Sequence, residues 1–310
     1  MKNSISVFAP ATIANLSCGY DVLGLALNGL GDTITVSASD TDKITVTVST
    51  EGEGETVSTD PEKNSVSVAA KAVLEKLNIQ SGLNIHLLKA MPLGSGLGSS
   101  ASSSAGGAVA TNKLFGSKLS QTDVVLCAME GERVACGSAH ADNVAPAIYG
   151  GIVLIRSYDP LDIIKLPVPS DFFCGIIRPH IEVRTEDARR ILRKHITIKA
   201  SISQTGNLGG FIAGLYNNDY ELISRCLNDS IAEPERMDLI PFFKEARDCA
   251  LNNGAIAYGI SGSGPSMFMI GKSHDAIKDA TTAAKNIFIK NGINATSYLS
   301  AVNTVGAVEV

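Results

Sequence analysis

The sequence predicts an α+β protein built as two domains, for three reasons. The chain has 310 residues, long for a single core and ample for two. Strand-like alternation and helical periodicity mix along it without a strict strand–helix–strand rhythm, which argues against a doubly wound parallel sheet. A stretch carrying three prolines, 159–170, is the best candidate boundary and divides the chain into 1–160 and 161–310. A hydrophobic share of 45% against 18% charged residues describes an ordered globular chain.

In the first half, residues 4–9, 33–38 and 43–49 alternate in the manner of strands, and 51–61 is a polar, acidic turn region. Helical spacing begins near Ser65, where Val66, Ala69, Ala70, Val73, Leu74 and Leu77 fall on one face. An apolar strand at 83–88 runs through a glycine turn into a small-residue helix at 99–114. A further helix at 120–136 opens with Ser120-Gln-Thr-Asp and carries Asp123 in its first turn. Residues 150–155 read as a closing strand. Beyond the boundary the pattern predicts strands at 172–178, 255–260, 267–270 and 296–302, with helices at 186–194, 199–216, 219–228, 240–252 and 274–291.

The most informative segment is the turn before the second helix, Met-Pro-Leu-Gly-Ser-Gly-Leu-Gly-Ser-Ser-Ala at 91–101. Gly94, Gly96 and Gly98 let the backbone come close to a ligand, and the unpaired N–H groups of a helix start, with its dipole, suit phosphate oxygens. No charged residue lies between Lys89 and Lys113, so the cradle lacks the lysine of a Walker-type loop. Ser99 and Ser100 offer hydroxyls to a magnesium ion on those phosphates. A flexible Gly/Ser linker is the competing reading, opposed by Leu93, Leu97 and the alanine run. A second cluster, Ser261-Gly262-Ser263-Gly264-Pro265-Ser266, joins two strand-like runs; alone it reads as a plain turn, and it gains weight as a ligand contact from occurring with the first loop.

Three motifs together, Ala9-Pro-Ala-Thr-Ile-Ala-Asn-Leu, the loop from Pro92 to Ala101 and the late Gly-Ser-Gly-Pro, resemble those of the GHMP kinases, which phosphorylate small alcohols from ATP. Within that family, Ala14-Asn-Leu-Ser-Cys-Gly-Tyr-Asp21, His140-Ala-Asp-Asn-Val-Ala-Pro-Ala147, Thr185-Glu-Asp-Ala-Arg189 and Glu233-Pro-Glu-Arg-Met237 resemble the subgroup acting on L-homoserine. The resemblance implies an N-terminal mixed α/β domain with the glycine-rich phosphate loop and a C-terminal ferredoxin-like α+β domain. It implies that Pro92, Leu93, Gly94, Ser95, Gly96, Leu97, Gly98, Ser99 and Ser100 hold the ATP phosphates with Gly262, Ser263 and Gly264. Asn64 would lie near the adenine; as a helix N-cap it reads equally well. Ser100 and Glu130 would bind Mg²⁺, although spacing alone leaves Glu130 and the nearby Glu132 even.

For the acceptor, the resemblance implies Arg189 and Arg236 on a carboxylate, Asp21 on an ammonium, and Asn15 and His140 nearby. The planar guanidinium suits a carboxylate because it pairs bidentately. From the residues alone, Asp21 also serves as a cap for 22–27, His140 as a half-buried core histidine, and the arginines as partners of Glu186, Asp187, Glu233 and Glu235. Thr185 is a good helix N-cap, and in the relatives it lies near the transferred phosphate. Many GHMP kinases place an aspartate seven residues before a Gly-Gly, where this chain has Asn143. An amide is no general base, which matches the homoserine-phosphorylating subgroup and leaves Asp142 as the adjacent carboxylate. The competing functions are phosphorylation of another small alcohol and a non-catalytic nucleotide or amino-acid sensor.

A net charge of −5 with no basic cluster argues against nucleic acid or an anionic membrane as a main partner. The six cysteines form no Cys-x-x-Cys pair and no ligand-like spacing with the five histidines, so they read as reduced thiols of a cytoplasmic protein. No secretion signal or membrane anchor is visible in the sequence. The family resemblance also implies a homodimer.

Overall fold

A computed structural model describes residues 3–50, 57–137 and 139–310, so part of the acidic turn expected at 51–61 lies outside the described residues. The alternation near the N-terminus produces β1 (Ser4–Ala14), which pairs antiparallel with a 17-residue strand, β2 (Leu23–Ser39). The sequence pattern marked only the second half of β2 as strand. Its first half, Leu23 to Leu27, is buried throughout and therefore shows no alternation. The two halves of β2 take different partners. β4 (Gly82–Lys89) pairs along Thr33 to Ser39 and is itself flanked by the parallel strand β3 (Ile44–Thr50). β5 (Ile152–Tyr158) pairs at Leu23 to Leu25 and continues as a hairpin into β6 (Leu161–Leu166). β6 falls inside the stretch expected to separate the halves: Ile163 and Ile164 are strand residues of the first sheet, which reaches Leu166.

Four helices cover this sheet: α1 (Ser65–Leu77), α2 (Ser99–Leu114), α3 (Gln121–Cys136) and α4 (Ala141–Tyr149). α2 is the inner one, buried along nearly its whole length because its residues are small. A Cβ on Gly106 would lie 2.2 Å from Ile34 Cδ1, and one on Gly107 would lie 2.5 Å from the Val66 carbonyl. α4 escaped the sequence reading, being nine residues long with Pro146 inside it. α3 begins with the expected cap, as the Ser120 hydroxyl accepts from Asp123 N and the Asp123 carboxylate accepts from Ser120 N.

The second sheet is wholly antiparallel, in the order β10 (Ala295–Ala301), β7 (Phe173–Pro179), β9 (Met267–Gly271), β8 (Ala257–Ile260). By position in the chain that order is fourth, first, third, second, and helical segments occupy both long connections, giving the expected ferredoxin-like arrangement. The first connection holds α5 (Thr185–Arg190), α6 (Ile198–Asn217), α7 (Tyr220–Cys226), the short α8 (Glu233–Arg236) and α9 (Phe243–Asn252); the second holds α10 (His274–Lys290). α5 stops four residues earlier than the pattern suggested, and α8, a single turn, gave no periodicity to read. The chain ends by returning to the first sheet, where β11 (Val308–Glu309) pairs with β1.

One apolar cluster spans both sheets. Ile13, Leu23 and Leu25 from the first meet Ile176, Phe268 and Ile270 from the second, with Phe211 of α6 and Ile223 of α7. Beneath the glycine turn lies a buried ion pair, Lys89 Nζ to Asp32 Oδ2 at 2.5 Å. Lys89 also donates to the Ser99 carbonyl at 2.6 Å and to Ser103 Oγ at 3.0 Å. Asp32 accepts from Ser103 Oγ and, at 3.2 Å each, from the backbone N–H groups of Ala90 and Met91. The pair thus ties β2, the end of β4 and the start of α2 together. Lys89→Met should strand the Asp32 carboxylate without its cation and lower the thermal midpoint by roughly 5–10 °C. An unchanged midpoint, followed by circular dichroism on heating, would contradict that role.

Candidate active site

Between the two sheets lies a cleft of about 430 Å³. One wall is the glycine turn. Gly94, Gly96 and Gly98 all take left-handed backbone angles, with φ of 59°, 78° and 66°. A Cβ on Gly98 would lie 2.0 Å from Thr12 Oγ1 and 2.9 Å from Asn143 Oδ1, and one on Gly96 would lie 2.6 Å from the Gly264 carbonyl oxygen. Bare backbone at these positions is what allows three distant segments to meet at the head of α2. The second glycine cluster is stitched onto the first: Ser261 Oγ donates to the Gly96 carbonyl at 2.7 Å and Ser266 N to the Ser95 carbonyl at 3.2 Å. Gly262 N donates to the Ala14 carbonyl.

Of the residues expected around phosphate, Leu93, Gly94, Ser95, Gly96, Gly98, Ser99, Ser100, Gly262 and Ser263 line the cleft. Pro92, Leu97 and Gly264 do not: Leu97 belongs to the apolar core, with its carbonyl accepting from Thr12 N at 3.0 Å, and Gly264 faces Gly96 with its carbonyl. Lys89 lines the cleft from the end of β4, so a buried ammonium stands near a loop that carries none of its own. Asn64 caps α1, its side chain accepting from Val66 N at 2.9 Å, and it borders the cleft.

Glu130 is a correction. It points to solvent on the outer side of α3 and pairs bidentately with Arg133, at 3.0 and 3.2 Å. Glu132 lines the cleft instead. Two residues turn a helix by roughly 200°, so only one of the two glutamates faces inward. The Glu132 carboxyl is hydrogen-bonded with Ser100, and burial pushes its pKa up to about 7.

At the other end of the cleft the chain makes an unusual turn. Asn15, Leu16 and Ser17 are successively left-handed, and Asp21 is left-handed as well, with φ of 57°. Asn15 is spent on holding this turn: its Oδ1 accepts from Asp21 N at 2.9 Å and its Nδ2 donates to the Gly262 carbonyl at 3.3 Å. Gln204 on α6, which no motif marked, donates to the carbonyls of Ser17 and Cys18. The turn presents Asp21 beside His140, with Oδ2 to Nδ1 at 3.7 Å. Arg189 Nη1 lies 2.9 Å from His140 Nε2. Since a guanidinium only donates, Nε2 accepts and the imidazole carries its proton on Nδ1, toward Asp21. Burial lowers the pKa of His140 and so favours this neutral form, against the pull of the Asp21 carboxylate.

Arg236 is buried on α8. It donates from Nε to the Ala188 carbonyl at 3.1 Å and from Nη1 to the Gly262 carbonyl at 2.8 Å, while its guanidinium lies 5.5 Å from the centroid of the Tyr20 ring. Thr185, at the start of α5, has its hydroxyl 3.3 Å from that of Ser263. Asn143 Oδ1 accepts from Thr12 Oγ1 at 2.7 Å, which leaves its amide N–H groups to the cleft. Beside it the buried Asp142 carboxyl has its pKa pushed up to about 7, first by burial and then by Asp21. The site thus has an anion cradle at one end and two arginines with a carboxylate and an imidazole at the other. Among the described residues no cluster of three His, Cys, Asp or Glu side chains is placed to hold a metal. Also among them, no helix is long and apolar enough to cross a membrane.

Residues 64–151 match the family model for the GHMP kinase N-terminal domain, and 211–290 match that for the C-terminal domain. The chain is 45% identical over 290 residues to a homoserine kinase of Chloroherpeton thalassium, covering 91% of this chain and 90% of that protein. The crystal structure of homoserine kinase from Cytophaga hutchinsonii superposes with a TM-score of 0.95 at 49% identity, covering 100% of this chain and 98% of that one. An L. major mevalonate kinase in complex with R-mevalonate shares the fold, with a TM-score of 0.72 at 14% identity over 97% of this chain and 98% of that one.

Both buried carboxyls bear on stability. With pKa values of about 7, Glu132 and Asp142 hold protons in the folded state that the unfolded chain releases near its ordinary carboxylate range. Their contribution is therefore greatest at acid pH and is lost as pH rises toward neutrality. The thermal midpoint of the ligand-free protein should fall between roughly pH 5 and 8, and Asp142→Asn should flatten part of that slope. A midpoint scan in which the variant keeps the full slope would contradict the assignment.

Proposed function

The chain belongs to the GHMP kinase family, and from there we propose that it is a homoserine kinase, transferring the γ-phosphoryl group of ATP to the side-chain hydroxyl of L-homoserine. The products are ADP and O-phospho-L-homoserine, an intermediate of threonine biosynthesis. The observation that carries this reading is one cleft with a backbone anion cradle at one end and an amino-acid-binding constellation at the other. Asp21 with two arginines suits an ammonium and a carboxylate, which favours an amino acid over a sugar or an isoprenoid alcohol.

Phosphoryl transfer asks a protein for alignment and charge neutralisation more than for covalent chemistry. The N–H groups of the glycine turn and the start of α2 cradle the phosphates. The donor set suits magnesium: hydroxyl and carboxylate oxygens of Ser100 and Glu132, next to Ser99, whose buried hydroxyl has no hydrogen-bond partner among the described residues. When bound, Mg²⁺ supplies positive charge to the phosphate oxygens. Arg189 and Arg236 take the homoserine carboxylate, and the Asp21 carboxylate, faced by the Nδ1 proton of neutral His140, takes its ammonium. Asn143 orients the acceptor hydroxyl with its amide, and Thr185 stands by the transferred group. An amide removes no proton, so the hydroxyl proton leaves to phosphate or solvent, with Asp142→Asn slowing turnover only modestly.

A sensor has no need of the Ser100 hydroxyl and Glu132 carboxylate paired beside the phosphate loop, which counts against the non-catalytic reading. We extend the proposal, on the family resemblance, to a cytoplasmic homodimer. Five cysteines of the described chain are free thiols, in keeping with a reducing compartment. The test is ADP release from Mg-ATP with L-homoserine, L-serine, L-threonine, shikimate, mevalonate and galactose offered separately. Strong stimulation by L-homoserine alone is expected; stimulation by another alcohol alone overturns the acceptor, and binding of ATP without turnover favours the sensor. In the same assay Glu132→Gln should lower kcat at least about a hundredfold while Glu130→Gln stays within about twofold.

A further inference from the structure

Tyr158 closes β5, outside every motif that marked the site, and its hydroxyl joins two separate walls of the acceptor end. It donates to the backbone carbonyl of Asp21 at 2.9 Å and accepts from Ala141 N at 3.3 Å. Ala141 is the first residue of α4, so its N–H is one of those a helix start leaves without an internal partner. The Tyr158 ring meets the His140 ring edge to face, with centroids 6.4 Å apart and planes at 82°. One side chain therefore touches the left-handed residue that presents the carboxylate, the imidazole beside it, and the helix start that carries Asp142 and Asn143.

We propose that Tyr158 is a positioning residue that sets the spacing between Asp21 and His140 and so tunes recognition of the acceptor's ammonium. The inference rests on the acceptor reading proposed above. The chemistry fits: a phenol offers one donor and accepts readily, and here both capacities are used, each on backbone. Desolvation of the phenol, although the residue is 40% exposed overall, and the neighbouring Asp142 carboxyl raise its pKa above the ordinary value, which keeps the proton in place for the Asp21 carbonyl at neutral pH. The His140 orientation matters because its Nδ1 proton faces Asp21 only while Nε2 stays on Arg189. Nothing in the contact reaches the glycine turn, so nucleotide binding should not depend on it.

Tyr158→Phe keeps the ring against His140 and removes only the bridge. The KM for L-homoserine should rise on the order of tenfold, with kcat and the KM for ATP within about twofold of the parent. A structural defect alone would not give that division. 4-Hydroxybutyrate, which keeps the carboxylate and hydroxyl but lacks the ammonium, should inhibit parent and variant with the same constant. Unchanged KM for L-homoserine overturns the proposal, as does equal weakening toward both compounds or a parallel loss toward ATP. Asp21→Asn, assayed beside it, separates the two levels. If Asp21→Asn raises the KM for L-homoserine and Tyr158→Phe does not, only the role of Tyr158 falls. If neither does, the acceptor reading falls and takes the proposal with it.

Discussion

The backbone contact between the two glycine clusters is the constraint on which the site depends. Where Gly96 passes the turn between β8 and β9, the carbonyl oxygens of Ser261 and Gly264 occupy space within 2.8 Å of where a side chain would begin. That approach brings a loop of the first sheet and a loop of the second into one wall. Arg236 and Asn15 both donate to the Gly262 carbonyl, so the acceptor end is hung from the same turn that closes the phosphate end. On the proposed reading, main-chain geometry would register the two substrates against each other, which fits a reaction that needs alignment more than a reactive side chain.

Support for that contact comes from below and from the side. Below, the Lys89–Asp32 pair fixes where β4 ends and α2 begins, and a buried pair so completely hydrogen-bonded is far costlier to break than to keep. From the side, the apolar cluster shared by both sheets leaves the halves little freedom to slide. The left-handed run from Asn15 to Ser17 is unfavourable for residues with side chains and persists because Asn15, Gln204 and Tyr158 hold its flanks.

Much of this is legible in the amino-acid sequence. The glycine spacing at 94, 96 and 98 carries its own reason, since turns that bring backbone to a ligand need positive φ, and the small-residue helix read at 99–114 is α2. The order of the second sheet followed from the family resemblance. Other features had no sequence signal. The first half of β2 is buried on both faces and shows no alternation; β6 was hidden by the prolines around it; and α4 is short and interrupted by Pro146. Glu130 and Glu132 are indistinguishable until the rotation of α3 is known, because two residues separate inward from outward on a helix. Gln204 and Tyr158 act through backbone groups far along the chain, and such partnerships leave no local pattern.

Gly96→Ala probes the loop-to-loop contact, because the added methyl group enters it and a φ of 78° disfavours any side chain there. Calorimetric titration of the folded variant with Mg-ATP and, separately, with L-homoserine should find both affinities weakened at least about tenfold, although Gly96 lies at the phosphate end. Weakening toward ATP alone, with homoserine bound as tightly as by the parent, would show that the two ends are built independently and would contradict the account.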